Sequence, residues 1–177
     1  AAMETLSLMC ISIAISVMIG VLFGIVASQS DRFETIIKPI LDTMQTLPAF
    51  IYLIPAFYLF GLGAPGALLA TVIYALPPVV RLTNLGIRQV PAGIDEAATS
   101  FGATKIQSLV KVKIPMAMPS IKLGINQTVM MALALVVLAT FIAAPGLGDI
   151  VFRGMQRLNV GKALEGGVAI VLMAIVL

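Results

Sequence analysis

Long apolar runs alternate with short polar breaks along this chain, and the breaks are rich in Gly and Pro. A helix needs about 20 apolar residues to cross the hydrocarbon core of a bilayer. Five runs reach or approach that length: Leu6–Ala27, Ile40–Phe60, Ala64–Val80, Met116–Ala143 and Ala163–Leu177. The last is still apolar at Leu177, the pattern of a run that continues. Between them lie a charged connector (Ser28–Lys38), a tight turn (Gly61–Gly66), a polar insert (residues 91–115) and a Gly-rich loop (Pro145–Gly161), all punctuated as turns and loops are. The pattern predicts an all-α integral membrane protein, with one transmembrane domain over residues 1–177.

The insert has internal structure of its own. Pro91 suits the start of a helix, because a first-turn residue has no use for its N–H. Asp95 and Glu96 then fall near the positive end of the helix dipole. Ala97 and Ala98 are strong helix formers with minimal side chains, so another surface can come close. Gly102 permits a C-terminal cap or bend. A second short run carries Lys105, Lys111 and Lys113 and is expected to stop at Pro115. The expected shape is a helix–turn–helix projection that either docks a partner or lies along the membrane surface as an amphipathic element.

Composition narrows the class. The chain is 60% hydrophobic and 11% charged, with a mean hydropathy of +1.10, whereas soluble domains carry about a quarter charged residues. A net charge of +3, with basic residues scattered between apolar runs, does not fit nucleic-acid binding. There is no histidine, which removes His-based acid–base catalysis and His metal sites. Cys10 is the only cysteine, so neither an intrachain disulfide nor a Cys metal cluster is possible. A phosphate-binding Walker loop requires Gly, four residues, then Gly-Lys-Ser/Thr. The nearest approach, Gly154 to Gly161-Lys162-Ala163, has six intervening residues and no hydroxyl. No catalytic constellation remains, and any ATP chemistry falls to another polypeptide. The first run, about 22 residues preceded only by the charge of Glu4, is too long for a signal-peptide core.

Lys and Arg placement sets the orientation. The connector, the segment Arg81–Lys113 and Lys122 fall on one side and hold eight basic residues, against three (Arg153, Arg157, Lys162) on the other. The positive-inside bias therefore puts the insert in the cytoplasm and the first residue of the chain outside. Ser12, Ser16, Gly20, Gly24 and Ser28 recur every four residues, a stripe that fits packing within the bundle or against a second subunit. Pro48 and Pro55, seven residues apart, mark the second run as either a gate or a kinked packing helix. Asn126 and Gln127, one turn beyond Lys122, fit a pathway lining or hydrogen bonding between helices. No acidic residue interrupts a clear apolar span, which disfavours a proton- or sodium-coupled carrier.

The insert also carries a resemblance. Glu96-Ala97-Ala98, three residues, Gly102, nine residues, then Val112-x-Ile114-Pro115 resembles the Glu-Ala-Ala signature of bacterial ABC importer permeases. Val112 and Ile114 stand conservatively where that signature has Ile and Leu. The segments Gln45–Phe50, Tyr74–Arg81 and Pro145–Gly148 are similar to the permeases for glycine betaine, proline betaine, carnitine and choline, so the likeness covers nearly the whole chain. It implies the five-helix core of a type I importer in the bacterial inner membrane, with a second permease subunit (a homodimer). It also implies two ATPase subunits that hold ATP and Mg, and an extracytoplasmic binding protein or fused domain. The insert would be the coupling helix: Glu96 in polar contact with the ATPase, Ala97 and Ala98 in its cleft, Gly102 at the turn. Quaternary ammonium ligands favour aromatic cages, and the chain offers Tyr52, Tyr58, Tyr74 and eight Phe but no Trp. Tyr52, Tyr58 and Asn126 are the pathway candidates, with packing the alternative for each. Two other readings share the insert: a permease for another solute such as methionine or a polar amino acid, and a membrane subunit that docks an ATPase without forming a pathway.

Overall fold

The computed structural model describes residues 1–176, and every regular element among them is helical. In chain order these are α1 (Ala2–Gln29), α2 (Asp31–Thr46), α3 (Phe50–Phe60), α4 (Ala64–Arg88), α5 (Ala92–Ser100), α6 (Lys105–Ser108), α7 (Ile114–Leu138), α8 (Leu147–Gln156) and α9 (Val160–Val176). A π-helical turn, Leu109–Lys113, joins α6 to α7, and a 3-10 turn, Ala139–Ile142, extends α7.

The core is a three-helix unit of α1, α4 and α7. Ser16 Oγ donates to the Val72 carbonyl at 3.1 Å, Gly20 meets Val79 and Gly24 meets Thr83, so α1 and α4 run parallel. On the other side of α4, Gly86 meets Ser120, Gly124 meets Val79, and Thr128 Oγ1 donates to the Ala75 carbonyl at 3.0 Å. α7 is therefore antiparallel to both. The small-residue stripe of α1 thus packs inside its own bundle. At Gly24 the approach is so close that an added Cβ would lie 2.8 Å from the Val80 carbonyl oxygen.

Because α1 and α4 are parallel, the chain must return across the membrane between them. α2 and α3 make that return, bent by 101° at Leu47–Ala49. The expected single helix over Ile40–Phe60 is therefore two. Pro48 sits in the break, and Pro55 lies within α3 without interrupting it. The expected connector Ser28–Lys38 is mostly helix: Ser30 caps α2, accepting from Phe33 N, and Asp31 and Glu34 complement the first turn.

Three helices among the described residues are long and apolar enough to cross a membrane, or four with the bent pair. α9 has 17 described residues, about 25 Å of helix against a core of about 30 Å. The region expected as a Gly-rich loop holds α8, whose first N–H groups are partly satisfied by Leu147 N donating to Thr5 Oγ1 at 2.8 Å. Its glycines are contact points, Gly148 on Val137 and Gly154 on Ala163. They weaken the helical pattern where packing supplies the support.

Candidate functional site

The polar insert folds as α5, a turn, and a second helix that runs on into α7. Gly102, at φ +83°, ends α5 in a left-handed cap. The Gly102 N–H donates to the Thr99 carbonyl at 2.9 Å and the Ala103 N–H to the Ala98 carbonyl at 3.1 Å, the two bonds of a Schellman turn. No neighbour crowds the position, so backbone conformation alone favours glycine there. Thr104 and Gln107 then form a reciprocal capping box, Gln107 N to Thr104 Oγ1 at 3.3 Å and Thr104 N to Gln107 Oε1 at 2.9 Å.

Pro115 does not stop the second helix, as the sequence led us to expect. The helix continues from Lys105 to Ile142 through the π-helical turn, whose bond from Ile114 N to the Leu109 carbonyl closes just before the proline. A proline ring meets the carbonyl four residues back in a regular α-helix. The extra residue in the π turn shifts that carbonyl, and the chain passes without breaking.

Asp95 ties the two arms of the projection together. Lys113 Nζ lies 2.7 Å from Asp95 Oδ2, and Ser108 Oγ donates to Asp95 Oδ1. The Lys113 hydrogen bond, then that of Ser108, holds the Asp95 carboxyl below the usual carboxylate range. Asp95 is thus turned inward, whereas Glu96 and Ala97 are exposed and Ala98 is half-buried. Phe101 is 93% exposed and Ile106 75%, so the outer surface of the projection is an apolar knob beside a carboxylate. Phe101 is the residue sequence reasoning missed. It is the one aromatic in the insert, next to the turn glycine, and that was its visible signal.

The pathway candidates are not brought together. Tyr52 is buried against the Tyr74 ring, with centroids 5.4 Å apart, and its hydroxyl donates to the Met44 carbonyl. Tyr58 is 80% exposed, its ring edge-on to Phe57. Asn126 and Gln127 are exposed on α7, away from Gly124 and Thr128, which pack on α4. Their depth matches Ala75, midway along α4.

The projection presents a clasped, shaped surface at one end of the helical bundle. Residues 16–177 match the family described as binding-protein-dependent transport system inner membrane component. The chain belongs to that family. It is accordingly a multi-pass inner-membrane protein. The chain is 51% identical over 176 residues to the glycine betaine/proline betaine transport system permease protein ProW of Escherichia coli, covering 99% of this chain and 50% of that protein. It is 47% identical over 175 residues to the glycine betaine transport system permease protein OpuAB of Bacillus subtilis, covering 99% of this chain and 62% of that one. It thus spans half to two thirds of these relatives. Among solved structures, the MetNI methionine ABC transporter in an inward-facing conformation superposes with a TM-score of 0.87 at 21% identity, over 98% of this chain and 87% of that one. An amino acid ABC transporter superposes with a TM-score of 0.70 at 19% identity, over 99% and 92%. At those identities the likeness is one of fold: the helical bundle has the chain arrangement seen in those two transporters.

Proposed function

We propose that this chain is the membrane-spanning core of a permease subunit in an ATP-driven importer for betaine-type osmolytes. The observation that carries the reading is the clasped projection, whose carboxylate and apolar knob face outward from a bundle built to move. A second copy of the permease would complete the pathway. Two ATPase subunits, holding ATP and Mg, would dock on the two projections. A binding protein or fused domain would deliver solute on the other side, with ATP hydrolysis confined to the partner chains.

In this reading, closing of the ATPase pair brings the two projections together, and the bundles rock between inward and outward openings. The bias comes from the higher affinity of ATP for the closed pair. Phe101 and Ile106 would fill an apolar cleft on the ATPase, with Glu96 pairing at its rim. Asp95 keeps the projection stiff, so that displacement reaches the bundle instead of bending the insert.

The solute class is taken from the relatives, whose names specify glycine betaine, proline betaine, carnitine and trimethylamine N-oxide. The test is ATP-driven uptake by the complete complex in vesicles, with labelled glycine betaine set against labelled methionine and histidine. Uptake of the betaine alone supports the reading. Uptake of an amino acid instead moves the solute class, and ATPase activity that no solute stimulates points to a docking subunit without a pathway.

A further inference from the structure

Arg88 is the last residue of α4, and α5 starts four residues later, so it stands where the projection joins the bundle. Its guanidinium reaches two other helices, α2 and α1. Nη1 lies 2.7 Å from Asp31 Oδ1 and Nη2 lies 3.0 Å from Glu34 Oε2, both on α2. Nη2 also donates to the Ala27 carbonyl at the end of α1, at 2.9 Å, and Nε donates to Asn84 Oδ1 at 3.1 Å. Asn84 in turn donates to Glu34 Oε1 at 2.9 Å, so both oxygens of Glu34 are held from α4. A planar five-donor fork can serve this many acceptors at once, and a lysine ammonium cannot.

α2 needs such a tie. Leu41 is the one buried residue of α2, Ile37 and Met44 are half-buried, and Phe33 stacks on Phe23 of α1 with centroids 6.1 Å apart. Ile37 and Leu41 share a cavity with Val80 and Leu85 of α4, and the directional ties between the two helices are polar, through Arg88, Asn84 and the ion pair of Asp42 with Arg81. At its far end α2 meets the 101° break, beyond which α3 belongs to the other end of the bundle. α2 is therefore a lever with a hinge at one end and Arg88 near the other.

We propose that Arg88 is the positioning residue that makes α1, α2 and α4 move as one body, so that displacement of the projection swings α2 about the Leu47–Ala49 break. The proposal rests on the importer reading. Without Arg88, α4 and α7 still follow the projection through the chain, while α2 lags and the pathway opens incompletely. The lost quantity is coupling, not ATPase docking.

The test compares solute imported per ATP hydrolysed in the complete complex for wild type, Arg88→Lys, Glu34→Gln and the control Arg32→Gln on exposed α2 surface. A change in expression or stability scales both rates together and leaves this ratio fixed. The ratio is expected to fall about fivefold or more in Arg88→Lys, the lower end of typical coupling between sites. It should fall less in Glu34→Gln and stay at the wild-type value in Arg32→Gln. If Arg88→Lys does not assemble, Glu34→Gln decides. In a Cys10→Ser background, spin labels at Ile36 and Gln89 should keep one distance across nucleotide states, and Glu34→Gln should broaden it. An unchanged ratio with an unchanged distance overturns the proposal. A wild-type complex that imports no solute with ATP overturns the importer reading instead, and the spin-label distance still shows whether α2 travels with α4.

Discussion

The Tyr52 hydroxyl donates to the carbonyl of Met44, the acceptor four residues before Pro48. Pro48 has no N–H, so a continuous helix would leave that carbonyl unpaired at membrane depth. The chain breaks instead, and a phenol from the next helix supplies the missing donor. The same side chain packs on Tyr74 of α4, which anchors the start of α3 to the middle of the bundle. Tyr52, named as a pathway candidate, here ties α3 to the end of α2 and to α4.

Tyr52→Phe should therefore keep the ring contact and lose the donor. A buried acceptor left unsatisfied costs about 1–3 kcal/mol. We expect a lower unfolding midpoint in detergent and faster amide exchange across residues 44–52. Wild-type values for both would show that water replaces the phenol.

The α1–α4 seam gives a second prediction. Substituting Gly24 by Leu places atoms where the Val80 carbonyl and Thr83 already sit, and overpacking of this kind costs about 1–3 kcal/mol or more. Thermal stability should fall, whereas Gly93→Ala, with nothing within 4 Å of the added carbon, should be tolerated. Equal stability of the two variants would mean that the helices separate freely along this seam.

The clasp of the projection has a pH signature. The Asp95 carboxyl is held below its ordinary value, by Lys113 first and Ser108 second. The stabilisation is therefore complete above the unfolded carboxylate value and fades as pH falls through the lower folded value. Exchange protection of α5, corrected for intrinsic rates, should be flat from neutral pH to about pH 4 and decline only below that. Asp95→Asn should lower protection at neutral pH, leave the acid-limit value near that of the wild type, and remove the acid-side dependence. A protection loss centred near neutral pH would contradict the assignment.

Much of this was legible from residue order alone. The apolar runs marked α1, α4 and α7, the four-residue repeat of small side chains marked the face that meets α4, and Pro91 and Gly102 bounded α5. The remainder depends on contacts between distant residues. Asp95 and Lys113 are eighteen positions apart, with no periodicity linking them. α8 was hidden because Gly148 and Gly154 are poor helix formers in isolation, and they are tolerated where α7 and α9 press against them. Pro115 read as a stop because a π-helical turn has no simple sequence signature. Pro48 and Pro55 marked a gate or a kinked packing helix; the 101° size of the break depends on how α2 and α3 pack, which residue order does not reveal.

The central claim is that the projection transmits ATPase closure to the bundle through its outward face. The most direct measurement is paired ATP hydrolysis and labelled glycine betaine uptake by the complete complex carrying Glu96→Lys, in vesicles. Glu96 is exposed, and among the described residues its side chain makes no hydrogen bond or ion pair, so the variant should insert and assemble. The account predicts continued hydrolysis with uptake reduced about tenfold or more, a coupling loss within the usual range between sites. Uptake per ATP equal to that of the wild type would contradict it.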